Sequence, residues 1–423
     1  MDKKLGLWGA CAYCIGGMIG SGVFLSSSSI LQYTGSYGMA LAVWTGAGLI
    51  TVMAALVYLE MGTSIPSNGG GFAYLTKANW HPLAASFFWL GTFFTYPATM
   101  ATLGLGMAQN TVQGLKSFTE FDDTTYVCIT IFTTIASIVA VSILNLGKSI
   151  SFQLVVTVAK VMVITVIIAI GIGYLVAGHT LAYDVLFVNS TTDSLDIVMA
   201  TYMGLFSYSG YEVLNVVMGE IRHKVFTTTI AGTGTVIMVM FVYFLVNISY
   251  FTVIDKSRIL KSTSISADFF NLSLGKVFGN IMPFVVSFLM LSNMNTVIFG
   301  GGRFMATGAT NNILPSVIGY TNPDHNSPRL AILIQMTIAI GLSFVNNLSS
   351  LMSYMSFAEL LDRFIVLSSF LYMRYKGTKF AEGAYHNHVG VVLLYFGICG
   401  ALLTLPIYRV RLFVLSYVIG LFT

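Results

Sequence analysis

The stretch Gly16-Gly17-Met18-Ile19-Gly20-Ser21-Gly22-Val23-Phe24 interrupts the first long apolar segment of the chain, residues 7–32. A second interruption, Phe206-Ser207-Tyr208-Ser209-Gly210-Tyr211-Glu212, lies in the sixth apolar segment, residues 195–219. Glycine and serine are poor helix formers, so a helix is weakest where they stand. Paired interruptions at corresponding positions of two halves are typical of a solute site between broken helices. We therefore predict that both segments are broken helices that share one site.

The composition requires a surface that faces lipid. Of the 423 residues, 56% are hydrophobic and 9% are charged, whereas soluble domains carry about 25% charged residues. Lipid admits only helices and closed barrels, and the apolar segments are long and continuous, which favours helices. The net charge of +4 comes without a basic cluster, so the predicted partner is the lipid bilayer and not nucleic acid.

Eleven segments have the length and apolar character of membrane spans. A twelfth, residues 410–423, is too short to cross comfortably, and the longest polar connection, about 254–277, is too short for a soluble domain. We predict one all-α polytopic transmembrane domain, 1–423, with halves at about 7–177 and 195–373 and further helices at about 389–423. The eleven spans are 7–32, 38–62, 83–109, 126–147, 152–177, 195–219, 228–253, 278–301, 329–346, 352–373 and 389–408.

The lysine and arginine residues orient the chain. With the N-terminus in the cytoplasm and alternating spans, eleven of them fall on the cytoplasmic side and seven on the outer side. Cytoplasmic loops carry the excess of these residues, so a cytoplasmic N-terminus is predicted. A signal peptide is the alternative for Lys3 and Lys4, but the apolar stretch after them is too long for a signal core.

The break in the first span offers groups for a zwitterion. Unwinding at Gly20-Ser21-Gly22 frees N–H groups which, with the positive end of a half-helix dipole, suit a carboxylate. Orphan carbonyls of the preceding halves suit an ammonium group, so the predicted ligand is a small-molecule amino acid. For a single glycine, close helix packing is the better explanation, but for the paired stretches we favour the site. The carbonyls belong to Met18, Ile19, Phe206 and Ser209.

The same residues carry a family resemblance. Residues 17–24, and residues 206–211 followed by Leu214-Asn215, resemble the amino acid–polyamine–organocation superfamily, and within it the L-type light chains of heteromeric amino acid transporters. The resemblance covers the chain to about residue 375 and fades beyond it. Supporting matches are Glu60-Met61-Gly62-Thr63, Asn68-Gly69-Gly70-Gly71-Phe72-Ala73-Tyr74, Lys160, and Arg303 with Leu314-Pro315.

The resemblance implies two inverted five-helix repeats, the LeuT-like fold, with discontinuous helices 1 and 6 and about two further helices. It implies sodium-independent amino acid exchange by alternating access at the plasma membrane. It places Ser21 and Gly22 at the substrate carboxylate and Phe206 as an aromatic lid. The amino group would meet the carbonyls of Met18, Ile19, Phe206 and Ser209, with Gly20 and Gly210 within the two breaks.

Departures from the family pattern concern the substrate and the partner. Ser209 stands where neutral-substrate exchangers have a second glycine, and Glu212 resembles the acid of members that carry cationic amino acids. Arg222-His223-Lys224-Val225-Phe226 replaces the family's cytoplasmic stretch after span six, which puts the coupling of an inner gate in doubt. Residues 110–126 contain no cysteine for a disulfide to a heavy subunit. A covalent heavy chain is therefore not expected, and a non-covalent partner stays open.

Charges inside the spans need a role or a partner, since each costs on the order of 3 kcal/mol at the bilayer centre. By resemblance, Lys160 takes the place of a coupling ion and bridges the first and fifth spans; a proton carrier and a snorkelling lysine are the alternatives. Glu212 either faces a cationic substrate or pairs internally. Glu359 can pair with Arg363 four residues on, and by resemblance it lines the substrate pocket. Asp362 has no partner that the sequence identifies.

The sequence favours a transporter over a channel or receptor and over an intramembrane enzyme. Exchange of cationic and/or neutral L-amino acids is favoured, with proton-coupled uptake of an amino acid or polyamine as its alternative. A channel or receptor would need rings of like charge or a filter loop, and neither is present. An intramembrane enzyme lacks support because the histidines lie in loops or at span ends. No catalytic residue, metal site or cofactor is predicted.

Overall fold

The computed structural model describes residues 5–120, 122–143, 146–178, 186–262, 264–321, 327–344 and 348–421. These residues are almost entirely helical, and they contain no β-strand beyond one isolated parallel bridge between Leu5 and Ile221. Helices satisfy backbone hydrogen bonds within each segment, as lipid requires. The all-α polytopic class predicted from the composition is confirmed.

The first half of the chain follows the predicted spans to within seven residues at each end, except that the first and third spans are each divided. The third is divided by a π-helical stretch, Gly91–Thr95. The helices are α1 (Leu7–Met18), α2 (Ser21–Thr34), α3 (Tyr37–Ser64), α4 (Gly71–Lys77), α5 (His81–Leu90), α6 (Tyr96–Lys116), α7 (Asp123–Ser142) and α8 (Leu146–Val176).

The second half contains more short helices than the sequence indicates. The predicted polar connection 254–277 holds two of them, since each has apolar residues that pack inward, such as Ile259 and Phe269. The helices are α9 (Ser194–Ser207), α10 (Val213–Val216), α11 (Lys224–Thr228), α12 (Thr235–Val253), α13 (Lys256–Lys261), α14 (Ile265–Leu274), α15 (Lys276–Thr310), α16 (Arg329–Leu342), α17 (Leu348–Tyr375) and α18 (Val389–Leu421).

Seven helical segments of the described residues are long and apolar enough to cross a membrane. Two shorter apolar helices, α9 and α16, have 14 residues each. Helix α17 has 28 residues, but Glu359, Asp362 and Arg363 interrupt its apolar character. The chain is a multi-pass membrane protein.

The C-terminal region differs from the prediction of two separate helices at 389–408 and 410–423. One helix, α18, covers Val389–Leu421. Arginine is a good helix former, so Arg409 and Arg411 lower the hydropathy without ending the helix. The inverted relation between the halves and the orientation in the membrane stay predictions.

The two interrupted segments lie side by side within the bundle. Helix α2 packs along α9, and α1 packs against α8 and α15. Helix α15 also packs against α6. The breaks in the first and sixth spans are therefore enclosed by helices from both halves of the chain.

Candidate functional site

The first break separates α1 from α2. Helix α1 ends at Met18, Ile19 has extended backbone angles (φ −74°, ψ 98°), and α2 begins at Ser21. No side chain caps the N-terminus of α2. The first N–H groups of a helix have no partner within it, so those of Ser21 and Gly22 are available to an anion. For Ser21 the structure describes the backbone alone.

The second break lies between Ser207, where α9 ends, and Val213, where α10 begins. Gly210 has φ +115°, a conformation that glycine adopts without the strain of a side chain. A Cβ atom on Gly210 would lie 2.9 Å from the carbonyl carbon of Gly17. The two breaks are therefore in backbone contact, Gly17 against Gly210.

A cavity of about 40 Å³ lies at this contact. Met18, Gly22, Phe206, Ser209 and Gly210 line it, which brings five of the predicted site residues together. A volume of this size holds only a few water molecules, so this cavity by itself is too small for an amino acid.

Two more predicted residues, Ile19 and Gly20, lie within the first break, but the cavity wall does not include them. The Ile19 side chain is buried, and Gly20 is covered by the side-chain amide of Asn293. Their backbone groups are therefore the part of them available to a ligand.

Some of the predicted carbonyl acceptors already have donors. The Tyr243 hydroxyl lies 2.5 Å from the Met18 carbonyl oxygen and 3.1 Å from that of Ser207. A hydroxyl has one hydrogen, so it serves one of these carbonyls at a time. The Phe206 carbonyl accepts from the Ser209 N–H at 3.2 Å. Tyr243 was not predicted, because an isolated tyrosine in an apolar span belongs to no recognisable motif.

Lys160 lies behind the first break and is fully buried. Its Nζ donates to the Gly16 carbonyl at 2.7 Å and to Asn293 Oδ1 at 2.5 Å. The Asn293 amide in turn donates to the Gly17 carbonyl at 2.6 Å. The ammonium thus bridges α1, α8 and α15, whereas a snorkelling lysine would reach towards the surface. Asn293 was not predicted as its partner.

A larger cavity of about 180 Å³ adjoins the first. The two share Thr99, Ser209, Gly210, Thr296 and Val297 in their walls. Ligand pockets for drug-sized molecules are typically about 300–1,000 Å³, so this volume suits a small solute. We call it the side-chain cavity, because it extends away from the two helix breaks.

The side-chain cavity is lined by Glu212, Glu359, Asp362 and Arg363. Arg363 forms ion pairs with Glu212 and, at 3.2 Å, with Glu359. The Glu359–Arg363 pair was predicted from their spacing. Of the two alternatives for Glu212, the structure has an internal partner, but it is Arg363 and neither Tyr211 nor an asparagine.

Two further acidic residues pair outside this site. Glu60 is buried and contacts Arg374, Asn387 and His386 near the end of α3. Glu220 pairs with Arg303 at 2.9 Å. These pairs connect α3 and α15 to other segments of the chain.

Nearly the whole chain matches a known protein family. The sequence profile of the amino acid permease family matches residues 5–419. The chain belongs to the amino acid permease family. The match extends past residue 375, where the resemblance was expected to fade. The predicted superfamily and its L-type branch are confirmed, and so is the prediction that this permease is not an enzyme.

Individual relatives are similar over most of their length. Amino acid transporter protein 6 of Caenorhabditis elegans is 29% identical over 411 residues, which cover 96% of this permease and 78% of the relative. The human cystine/glutamate transporter is 27% identical over 377 residues, 89% and 75% of the two chains. The human Asc-type amino acid transporter 1 is 27% identical over 402 residues, 93% and 75% of the two chains.

Proposed function

We propose that this permease exchanges L-amino acids across the plasma membrane by alternating access, without sodium and with its N-terminus in the cytoplasm. Its substrates are cationic and/or neutral amino acids. The relatives named above are amino acid transporters by name, which supports the substrate class but neither the exchange mechanism nor the selectivity.

One observation carries the proposal: the backbone contact between the two helix breaks at Gly17 and Gly210. A Cβ atom on Gly22 would lie 2.5 Å from the Cα atom of Ser207, so the uncapped N-terminus of α2 lies beside the end of α9. A carboxylate would accept from the N–H groups of Ser21 and Gly22. The ammonium group would then donate to the carbonyls of Ile19 and Ser209, and to Met18 or Phe206 through their second lone pairs.

Lys160 supports transport without sodium. Its ammonium already donates to the Gly16 carbonyl and to Asn293, which are the kinds of oxygen that would otherwise coordinate a cation. A fixed positive charge there removes the need for a metal ion. It also repels a second cation, since like charges at short range disfavour each other.

We call the proposed site for the substrate's amino and carboxyl groups, at the two helix breaks, the backbone site. The substrate's side chain would extend from it past Ser209 and Gly210 into the side-chain cavity. Phe206 would cover the bound amino acid as a lid, because it lines the small cavity on the side of α9. A heavy subunit held by a disulfide is not part of the proposal, because residues 110–126 contain no cysteine.

Counterflow in liposomes tests this function. Purified permease is reconstituted with unlabelled leucine or arginine inside, and radiolabelled amino acid is added outside. We expect accumulation only in liposomes loaded with amino acid, and the same rate when choline replaces sodium. Liposomes without protein are the control.

Equal uptake into empty and loaded liposomes would contradict exchange and indicate a uniporter or channel. Uptake that needs an inward proton gradient would replace exchange with proton coupling. A rate that falls when choline replaces sodium would contradict the role given to Lys160.

A further inference from the structure

The three carboxylates of the side-chain cavity are not equivalent. Glu212 is engaged at both oxygens, since one pairs with Arg363 and the other accepts from the Gly210 N–H at 3.3 Å. Glu359 pairs with Arg363 at 3.2 Å. Among the described residues, Asp362 has no hydrogen bond and no ion pair within 4.0 Å.

The charge of the cavity is therefore unbalanced. Its wall holds three carboxyl groups and one guanidinium group, and Arg363 is taken up by two of the three. An unpaired carboxylate within a membrane protein is costly and marks a functional position. Asp362 lies one turn from Glu359 on α17, so it faces the same cavity.

The rest of the wall suits an alkyl stem that ends in a cation. The aromatic side chains of Phe87, Tyr96 and Phe304 line the same cavity as Asp362. Aromatic faces contact methylene groups and also attract cations. A cationic side chain that extends from the backbone site would find apolar cover along its length and a free carboxylate at its end.

We propose that Asp362, and not Glu212, is the specificity-determining residue that binds the ammonium or guanidinium group of a cationic amino acid. Glu212 positions Arg363 and the turn at Gly210. This inference rests on the proposed function, because it assumes that the backbone of an amino acid occupies the two helix breaks.

The test compares Asp362→Asn with the wild type in the counterflow assay, using arginine and its neutral analogue citrulline, with leucine as a third substrate. Hydrogen bonds to charged groups contribute a factor of roughly ten to a hundred in affinity. We expect Asp362→Asn to lower the ratio of the arginine uptake rate to the citrulline uptake rate about tenfold. We expect Glu212→Gln to lower all three fluxes to a similar extent, since it releases Arg363.

Asp122→Asn is the matched control, because it makes the same chemical change at an exposed position before α7. An unchanged arginine-to-citrulline ratio in Asp362→Asn would overturn the inference, as would a selective loss of arginine in Glu212→Gln. An equal fall in the uptake of all three substrates in Asp362→Asn would give Asp362 only a positioning role, and this result would also overturn the inference. Loss of proton-driven leucine uptake with an unchanged ratio would make Asp362 a proton carrier instead.

The two proposals fail in different ways. If the wild type shows no counterflow of leucine, the proposed function is wrong. If leucine counterflow is present and the substrate ratio does not respond to Asp362→Asn, only the assignment of Asp362 is wrong.

Discussion

Among the residues that the structure describes, Lys160 and Arg363 are buried cationic side chains of two different helices, and their partners differ in charge. Lys160 donates to a backbone carbonyl and a side-chain amide, which are both uncharged. Arg363 contacts two carboxylates, with a third in the same cavity. The surroundings of Lys160 keep a net positive charge, whereas those of Arg363 carry more carboxylates than cations.

Under the proposed function, this difference separates a structural charge from a selective one. Lys160 donates to oxygen atoms of α1 and α15, and we propose that it holds the first break against α8 and α15 in place of an ion. Arg363 pairs with two of the three carboxyl groups in the wall of its cavity, and we propose that the third binds a cationic group of the substrate. The comparison predicts different consequences when each cation is removed.

Removal of the Lys160 ammonium should have the largest effect on transport. In Lys160→Met, the Gly16 carbonyl and Asn293 Oδ1 both lose a charged donor. The Gly16 carbonyl keeps the Ser292 hydroxyl at 3.3 Å, and a buried polar group left unsatisfied costs about 1–3 kcal/mol. We expect uptake of every amino acid to fall at least tenfold, because the first break loses its support. Lys276→Met, at an exposed position, is the control. Retained uptake in Lys160→Met would contradict a structural role of the Lys160 ammonium at the first break.

Removal of the Arg363 guanidinium should affect stability more than transport. Arg363→Gln leaves Glu212 and Glu359 unpaired, and breaking a buried ion pair at one partner costs about 3–5 kcal/mol. We expect a lower melting temperature in detergent and a smaller loss of uptake than in Lys160→Met. The double variant with Glu359→Gln should recover part of the lost stability, and an unchanged melting temperature in Arg363→Gln would contradict the role of the pair.

Local patterns predicted the features that local chemistry decides. The glycine and serine residues near Gly20 and Gly210 marked the places where the helices end. The four-residue spacing of Glu359 and Arg363 predicted their contact. The composition was sufficient for the all-helical membrane class.

Long-range contacts could not be predicted in the same way. Glu212 and Arg363 are 151 positions apart, and Tyr243 reaches Met18 across 225 positions. Such pairs depend on how helices pack, and no spacing rule links them. The continuous helix α18 was missed for a different reason, since arginine lowers hydropathy without breaking a helix.

The most direct test of the shared site is whether an amino acid protects it from chemical modification. Ser209→Cys places a thiol in the wall of both cavities, and the exposed native Cys128 is an internal control in the same molecule. If Ser209→Cys does not support counterflow, Thr99→Cys lines the same two cavities and replaces it. The measurement is the rate of alkylation by a small thiol reagent, with and without a transported amino acid. We expect the amino acid to slow alkylation at position 209 several-fold and to leave Cys128 unaffected; equal rates at position 209 with and without substrate would contradict a binding site at the two helix breaks.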